Sequence, residues 1–254
     1  MSDILEALTA ARRRDAELRE AEVPFAEMMR RAEKVPEPRA FIENGIIAEL
    51  KRASPSEGMI REDFRPVELA RELVAAGAAA LSVLCEPHRF LGTEEYLRAV
   101  RAVVDVPILY KDFLSTRYQI AAARAAGADV VLLIAAVLDD PTLKDLLDFA
   151  HDLGLAALVE THNEEEIGRA VQAGARIIGV NCRNLRNFST DVSLLESLVG
   201  RIPRPCLRVA ESGMHTPDAI RRAKTAGADG FLVGTALMRA ERPGEKLKEL
   251  LTNH

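Results

Sequence analysis

Glu49 and Lys51 stand two residues apart at the end of an apolar run, Ile46-Ile47-Ala48. In an extended strand, residues two apart point to the same side, so an acid and a base face one space. Other apolar runs end in the same way: Lys111-Asp112, then Glu160, then Asn181 with Arg183, then Glu211-Ser212-Gly213, then Gly234-Thr235. If these ends converge, several carboxylates, two lysines, an arginine and an amide share one mouth. Taken singly, a terminal Lys or Glu is a solvated edge residue and a Gly-Thr is a turn. Taken together they mark a functional site, because desolvating so many charges is costly unless they are paired or used. Gly213 and Gly234 suit the binding of phosphate through backbone N–H groups, and Lys51 and Arg183 add positive charge there.

The elements that must position these ends follow from a repeat. Ala-Gly-Ala occurs at 76–78, 126–128, 173–175 and 226–228, with central glycines 50, 47 and 53 residues apart. Each copy ends a helix-like segment and precedes a β-branched or leucine-rich run, as glycine at a helix C-terminus should. These runs are 80–84, 130–134, 177–180 and 230–233, and four more lie between them at 46–51, 106–111, 155–160 and 206–211. Amphipathic helices are expected over 66–76, 116–126, 163–173 and 216–226. Eight strands alternating with helices imply parallel strands buried on both faces and closed on themselves. The expected fold is therefore α/β, a (β/α)8 TIM barrel. An open doubly wound sheet shows the same alternation, but its Gly-rich loop after the first strand is absent. Residues 1–45 read as an N-terminal helical extension and 46–254 as the barrel, together one domain. Arg12-Arg13-Arg14 in the extension reads as a solvated helix face.

Composition narrows the partners. The chain has 254 residues, 48% hydrophobic and 29% charged, with 34 basic against 39 acidic residues and a net charge of −5. That balance implies no nucleic-acid partner. The N-terminus lacks a signal-peptide pattern, and the most apolar stretch, 130–138, is about half of what spans a bilayer. A cytoplasmic protein with no membrane partner is expected. Cys85, Cys182 and Cys206 are widely spaced and odd in number, which points to buried reduced thiols. The five histidines are scattered, so no metal site is expected.

The segment Ile47-Ala48-Glu49-Leu50-Lys51-Arg52-Ala53-Ser54-Pro55-Ser56-Glu57-Gly58 resembles the signature of the indole-3-glycerol phosphate synthase family. Matches continue through Phe90 with Gly92, Lys111-Asp112-Phe113, Tyr118-Gln119, Leu158-Val159-Glu160, Asn181, Arg183-Asn184-Leu185, Asp191, Glu211-Ser212-Gly213 and Val233-Gly234. The likeness covers about residues 40–240, and the helical extension matches loosely. It implies ring closure, decarboxylation and dehydration of 1-(2-carboxyphenylamino)-1-deoxyribulose 5-phosphate, a step of tryptophan biosynthesis, without metal or organic cofactor. It also implies roles. Lys111 is the general acid, and Glu160 its partner in dehydration. Lys51 contacts the anthranilate carboxylate and shares acid duty. Glu49, Asn181, Glu211 and Ser212 orient these groups and the sugar hydroxyls. Phe90 and Phe113 flank the aromatic ring, while Ser54, Arg183, Gly213, Gly234 and Thr235 complete substrate binding. Other tryptophan-pathway enzymes are candidate partners.

The chain departs from the family pattern at Cys182, where a second asparagine is common, and at Tyr110, where arginine is usual. Thr235 replaces a serine, and the stretch 114–117 differs. These departures bear on substrate affinity rather than on any proposed acid or base. Three rival readings remain. A phosphoribosylanthranilate isomerase needs a Cys and Asp pair that Cys85 and Cys182 do not supply. A Schiff-base aldolase is allowed by Lys111 and is separable by borohydride trapping. A catalytically dead barrel is disfavoured by the intact charged set.

Overall fold

The computed structural model describes residues 4–41, 44–183 and 192–252; Asn184, Leu185 and Asp191 of the family pattern lie outside the described residues. Two helices come first, α1 (Ile4–Glu22) and α2 (Phe25–Glu33). The barrel strands follow: β1 (Gly45–Leu50), β2 (Ala80–Leu84), β3 (Ile108–Lys111), β4 (Val130–Ile134), β5 (Ala156–Thr161), β6 (Ile177–Asn181), β7 (Leu207–Glu211) and β8 (Gly230–Val233). They pair in parallel and in sequence, and β8 closes on β1, Gly45 opposite Gly230. The helices between and after them are α3 (Pro66–Ala75), α4 (Glu94–Arg101), α5 (Arg117–Ala126), α6 (Asp140–Asp152), α7 (Glu164–Ala173), α8 (Val192–Val199), α9 (Pro217–Thr225), α10 (Thr235–Arg239) and α11 (Pro243–Leu251). Among the described residues no helix is long and apolar enough to cross a membrane.

The Ala-Gly-Ala copies are helix endings of one design. Their glycines have φ of +106° (Gly77), +91° (Gly127), +92° (Gly174) and +104° (Gly227). In each, the second alanine's N–H returns to the carbonyl five residues earlier, as in Ala128 to Ala123 at 3.1 Å and Ala228 to Ala223 at 3.0 Å. At the other helix ends, Thr116, Asn163 and Thr216 are N-caps, so three expected helices begin one residue later than the pattern suggested. Thr116 belongs to a capping box with Gln119, which explains the divergent 114–117 stretch as a helix start.

Strand parity sorts the core. Ile47, Leu109, Val130, Leu132, Leu158, Ile177, Val209 and Leu232 form one buried cluster inside the barrel. Their neighbours Ile46, Ala48, Leu81, Val83, Ile108, Val131, Val159 and Val180 join the larger cluster beneath the helices. Tyr110 is in this outer cluster, so the departure from arginine falls on the helix-facing side and not in the site. Cys85 and Cys182 are buried, as expected, whereas Cys206 is only half-buried.

The extension is packed against the barrel. Leu5 and Leu8 of α1 share a cluster with Phe113, Leu132 and Ile134 at the strands' C-terminal ends. Burying each leucine contributes about 1.5–3 kcal/mol. Arg12 corrects the expectation of a solvated face. Its guanidinium grips Asp112 through Nε at 3.0 Å and Nη2 at 2.8 Å and reaches Asp15 at 2.6 Å. The Asp112 side chain is fully buried. Burial opposes charge on Arg12, but Asp112 outweighs it and raises the arginine above its ordinary value. Arg13 and Arg14 are exposed, as expected.

Arg12→Ala should destabilise the fold by about 3 kcal/mol, because it leaves a buried carboxylate unpaired. Arg14→Ala should change it by less than about 0.5 kcal/mol. Denaturant titration of both variants checks this, and equal effects would refute the assignment.

Candidate active site

Parity that sends apolar residues inward low in the barrel sends charged ones inward at the top. Glu49 and, one residue past β1, Lys51 come from the first strand, and Lys111 from β3. Glu160, Asn181 and Glu211 come from β5, β6 and β7. All line one cavity at the mouth. Every site residue expected from sequence lines it, including Ser54, Phe90, Phe113, Arg183, Ser212, Gly213, Gly234 and Thr235.

Lys111 is the centre of the charge network. Its Nζ lies 2.8 Å from Glu160 Oε2 and 2.9 Å from Glu211 Oε2. Burial works against its charge, but Glu160, Glu211 and Glu49 prevail and hold the ammonium above its usual range. The two carboxylates then diverge. Burial also opposes charge on Glu160, yet Lys111 and His162 hold it well below the usual range. Glu211 is pushed up to about 7 by burial and by the charge on Glu160, with Lys111 offsetting only part. One ammonium does not neutralise two carboxylates, so Glu211 is the one that keeps a proton. Its Oε1 has no hydrogen-bond partner among the described residues.

Lys51 Nζ sits 2.7 Å from Glu49 Oε1 as a separate pair. Asn181 donates to Glu160 Oε1 at 3.1 Å and accepts from Ser212 Oγ at 2.8 Å, which links β5, β6 and the loop after β7. Ser212 holds φ +64°, unusual for a residue with a side chain, and Gly213 follows at +74°. Such strain is kept only where the surroundings fix it. The turn brings the Gly213 backbone to the cavity, next to Gly234 and Thr235 at the start of α10. A Cβ on Gly234 would come within 2.4 Å of Glu49 Oε1.

Arg183 donates to Ser56 Oγ, and Ser54 Oγ accepts the Glu57 N–H at 3.3 Å, which ties down the β1–α3 loop. On the apolar side, the Phe90 and Phe113 rings lie 6.2 Å apart and tilted by 44°. Ile4, Leu5 and Leu8 of α1 extend this wall.

Four contributors escaped the sequence reading. Glu86, fully buried, accepts the N–H groups of His88, Arg89 and Phe90 at 2.7, 2.7 and 2.8 Å and so positions the Phe90 loop. Gly179 of β6 makes room for Glu211, since a Cβ there would fall 2.1 Å from its Oε1. The others are the α1 leucines and His162, which approaches Glu160 from behind. Gly179 breaks an otherwise β-branched run at an inward position, a signal that was available. Ile4, Leu5 and Leu8 share one face of α1, a signal that the face is covered but not by what, and Glu86 left none.

A closed parallel barrel with paired ammoniums and carboxylates at its C-terminal mouth places the protein among the (β/α)8-barrel enzymes. Solved structures support the fold alone: 3-hexulose-6-phosphate synthase superposes with a TM-score of 0.64 at 18% identity over 81% of this chain and 97% of that one. The model of the family described as indole-3-glycerol phosphate synthase matches residues 5–250. A protein of that name from Campylobacter jejuni subsp. doylei is 49% identical over 81% of this chain and 80% of its own. Another from Albidiferax ferrireducens is 42% identical over 98% of both chains. The chain belongs to the indole-3-glycerol phosphate synthase family.

Gly179→Ala should leave the barrel folded but displace Glu211, lowering turnover by about 10²-fold, the scale of an ångström-level misplacement. Gly168→Ala in α7, where a Cβ meets nothing within 4 Å, should instead stabilise by about 0.5–1 kcal/mol. Kinetics and melting curves on the two variants test the contrast.

Glu211 also makes stability depend on pH. Its folded value of about 7 lies above its ordinary 4.5, so its contribution is present below 4.5 and is lost as pH rises to about 7. Relative to the parent, Glu211→Gln should gain stability across that window and level off above it. A flat difference between pH 4.5 and 7 would show that Glu211 ionises normally.

Proposed function

We propose that this protein converts 1-(2-carboxyphenylamino)-1-deoxyribulose 5-phosphate to indole-3-glycerol phosphate, carbon dioxide and water. The observation that carries the reading is the Lys111 ammonium, held charged between two carboxylates beside an aromatic wall. A charged amine is what a ketone oxygen needs as negative charge develops on it. The aromatic carbon bearing the carboxylate attacks that ketone while Lys111 gives the oxygen its proton. Loss of carbon dioxide restores aromaticity. Glu160 then takes the ring proton as the hydroxyl leaves as water.

Lys51, paired with Glu49, holds the substrate's carboxylate and shares the second proton donation. Asn181, Ser212 and Glu211 orient the carboxylates and the sugar hydroxyls. Glu211 does so with the proton its raised value retains. Phe90 and Phe113 flank the anthranilate ring, an apolar lining suited to it. Gly213, Gly234 and Thr235 hold the phosphate with Arg183, and Ser54 keeps their loop in place. The helical extension and the barrel form one catalytic unit in this reading, since α1 completes the wall. The protein works in the cytoplasm, and contacts with other tryptophan-pathway enzymes are testable by co-purification.

Incubation with the carboxyphenylamino sugar phosphate while recording indole fluorescence tests the activity directly. Lys111→Met should lose turnover with little change in substrate affinity, by about 10²–10⁴-fold. Lys51→Met should lose affinity as well. If Lys111→Met closed the ring at the parent rate in a single turnover, the assignment would be wrong. If Lys51→Met alone blocked closure while binding normally, the two roles would exchange.

A further inference from the structure

Resting on that reading, the stoichiometry requires a proton from solvent in each turnover. The substrate enters with its carboxylate ionised, and carbon dioxide leaves neutral. The carbon–carbon bond to the carboxylate breaks, its electrons stay in the ring, and the ketone oxygen departs as water. Two protons are given to that oxygen and one returns from the ring carbon. Each turnover therefore consumes one proton from solvent, while the intermediate fills the mouth.

His162 stands where a second entrance would be. It follows β5 directly and is absent from the cavity lining, so it reaches Glu160 from the far side. Its Nε2 lies 3.4 Å from Glu160 Oε1, and its Nδ1 lies 3.1 Å from Glu166 Oε2. Side-chain exposure is 5% at Glu160 against 16% at His162 and 13% at Glu166, so the imidazole and the second carboxylate reach solvent more than Glu160 does.

Glu166 is the third residue of α7, where a carboxylate normally reaches back to the N-cap N–H. Here it is turned instead to the His162 N–H at 2.8 Å and to the imidazole. Asn163 steadies it through a 2.7 Å hydrogen bond. His162 Nε2 has no hydrogen-bond partner among the described residues, so this donor is left facing Glu160.

We propose that Glu166 and His162 form a proton entry route that delivers one solvent proton per turnover to Glu160 and onward to Lys111. Burial opposes charge on His162, but the nearby Glu160 carboxylate and the hydrogen bond to Glu166 push it up to about 10, so the ring is loaded at neutral pH. The facing charged groups are Glu160 on its own strand, Glu166 on α7 and, beyond Glu160, Lys111 on β3. Delivery is timed by Lys111 itself. While Lys111 is charged, it is the chief influence keeping Glu160 ionised against burial. Once Lys111 has given its proton to the substrate, Glu160 gains proton affinity and draws on His162. The imidazolium then passes Nε2–H to Glu160 and stays as the Nδ1–H form on Glu166 until the ring turns its vacated Nε2 to solvent, takes a proton there and returns. No redox partner is needed, and the count closes at one proton in.

His162→Gln keeps hydrogen-bonding shape but cannot carry the proton, and Glu166→Gln removes the carboxylate that holds the ring in its charged form. In His162→Gln the first ring closure should run at the parent rate, because Lys111 starts charged. Steady-state turnover should fall by about 10–10²-fold, with unchanged KM, a larger solvent deuterium effect and recovery in added imidazole. Glu166→Gln should move in the same direction, and covers the case in which His162→Gln folds poorly. Turnover at the parent rate in His162→Gln would overturn the route. So would a loss that appears already in the first turnover and is not restored by imidazole, the mark of a purely structural contact. Glu160→Gln run alongside separates the two ideas. If it is slow while His162→Gln is not, the route alone fails; if it turns over normally, the role of Glu160 fails first.

Discussion

The structure depends on the two-residue period of a closed strand. Once eight strands form a ring, every second side chain must point into a space with no other exit. Low in that space the sequence supplies Ile47, Leu109, Leu158, Val209 and Leu232, which pack on one another. One inward step higher on the same strands stand Glu49, Lys111, Glu160 and Glu211. The apolar layer closes the barrel floor, so no water reaches the charged layer from below. That geometry raises the cost of each charge and strengthens each attraction. At an effective dielectric of about 20, two charges 4 Å apart still interact by about 4 kcal/mol.

Such a layer is stable only if its charges are nearly balanced, and this one divides into two groups. Lys51 and Glu49 neutralise each other within one strand end. Lys111 faces both Glu160 and Glu211, one positive charge against two potential negative ones. The surplus is resolved by what stands behind each acid. Glu160 has the Asn181 amide and the His162 ring, which favour its ionised form. Glu211 packs against the bare backbone of Gly179 and has one unpartnered oxygen. Two glutamates two strands apart thus come to differ in proton affinity, Glu160 held ionised and Glu211 raised, through environment alone.

This division also explains how much could be read from the chain. Repeated helix endings, strand runs and the polar residue closing each run are local patterns, and the barrel and its cavity residues were legible from them. The Ala-Gly-Ala copies served because positive φ leaves glycine a near-obligatory mark. What was not legible depends on distant partners. Arg12 meets Asp112 across 100 residues, and nothing in three consecutive arginines says which one is buried. Glu86 was hidden because its partners are backbone N–H groups, which every sequence has. His162 read as one of five scattered histidines until β5 and α7 were in place on either side of it.

The N-terminal helix shows why the distant contacts matter for the site. Asp112 immediately follows Lys111, and its Oδ1 accepts the Phe113 N–H at 2.8 Å while Arg12 holds the carboxylate from above. Arg12 also binds Asp15, whose carboxylate meets His88 Nε2 at 2.7 Å in the loop that Glu86 shapes around Phe90. One arginine therefore ties together the loops that carry both aromatic walls. Leu5 and Leu8 fill the space between them. The helix cannot leave without exposing those leucines and leaving the buried Asp112 carboxylate without its arginine. The extension thus holds the aromatic side of the site in shape.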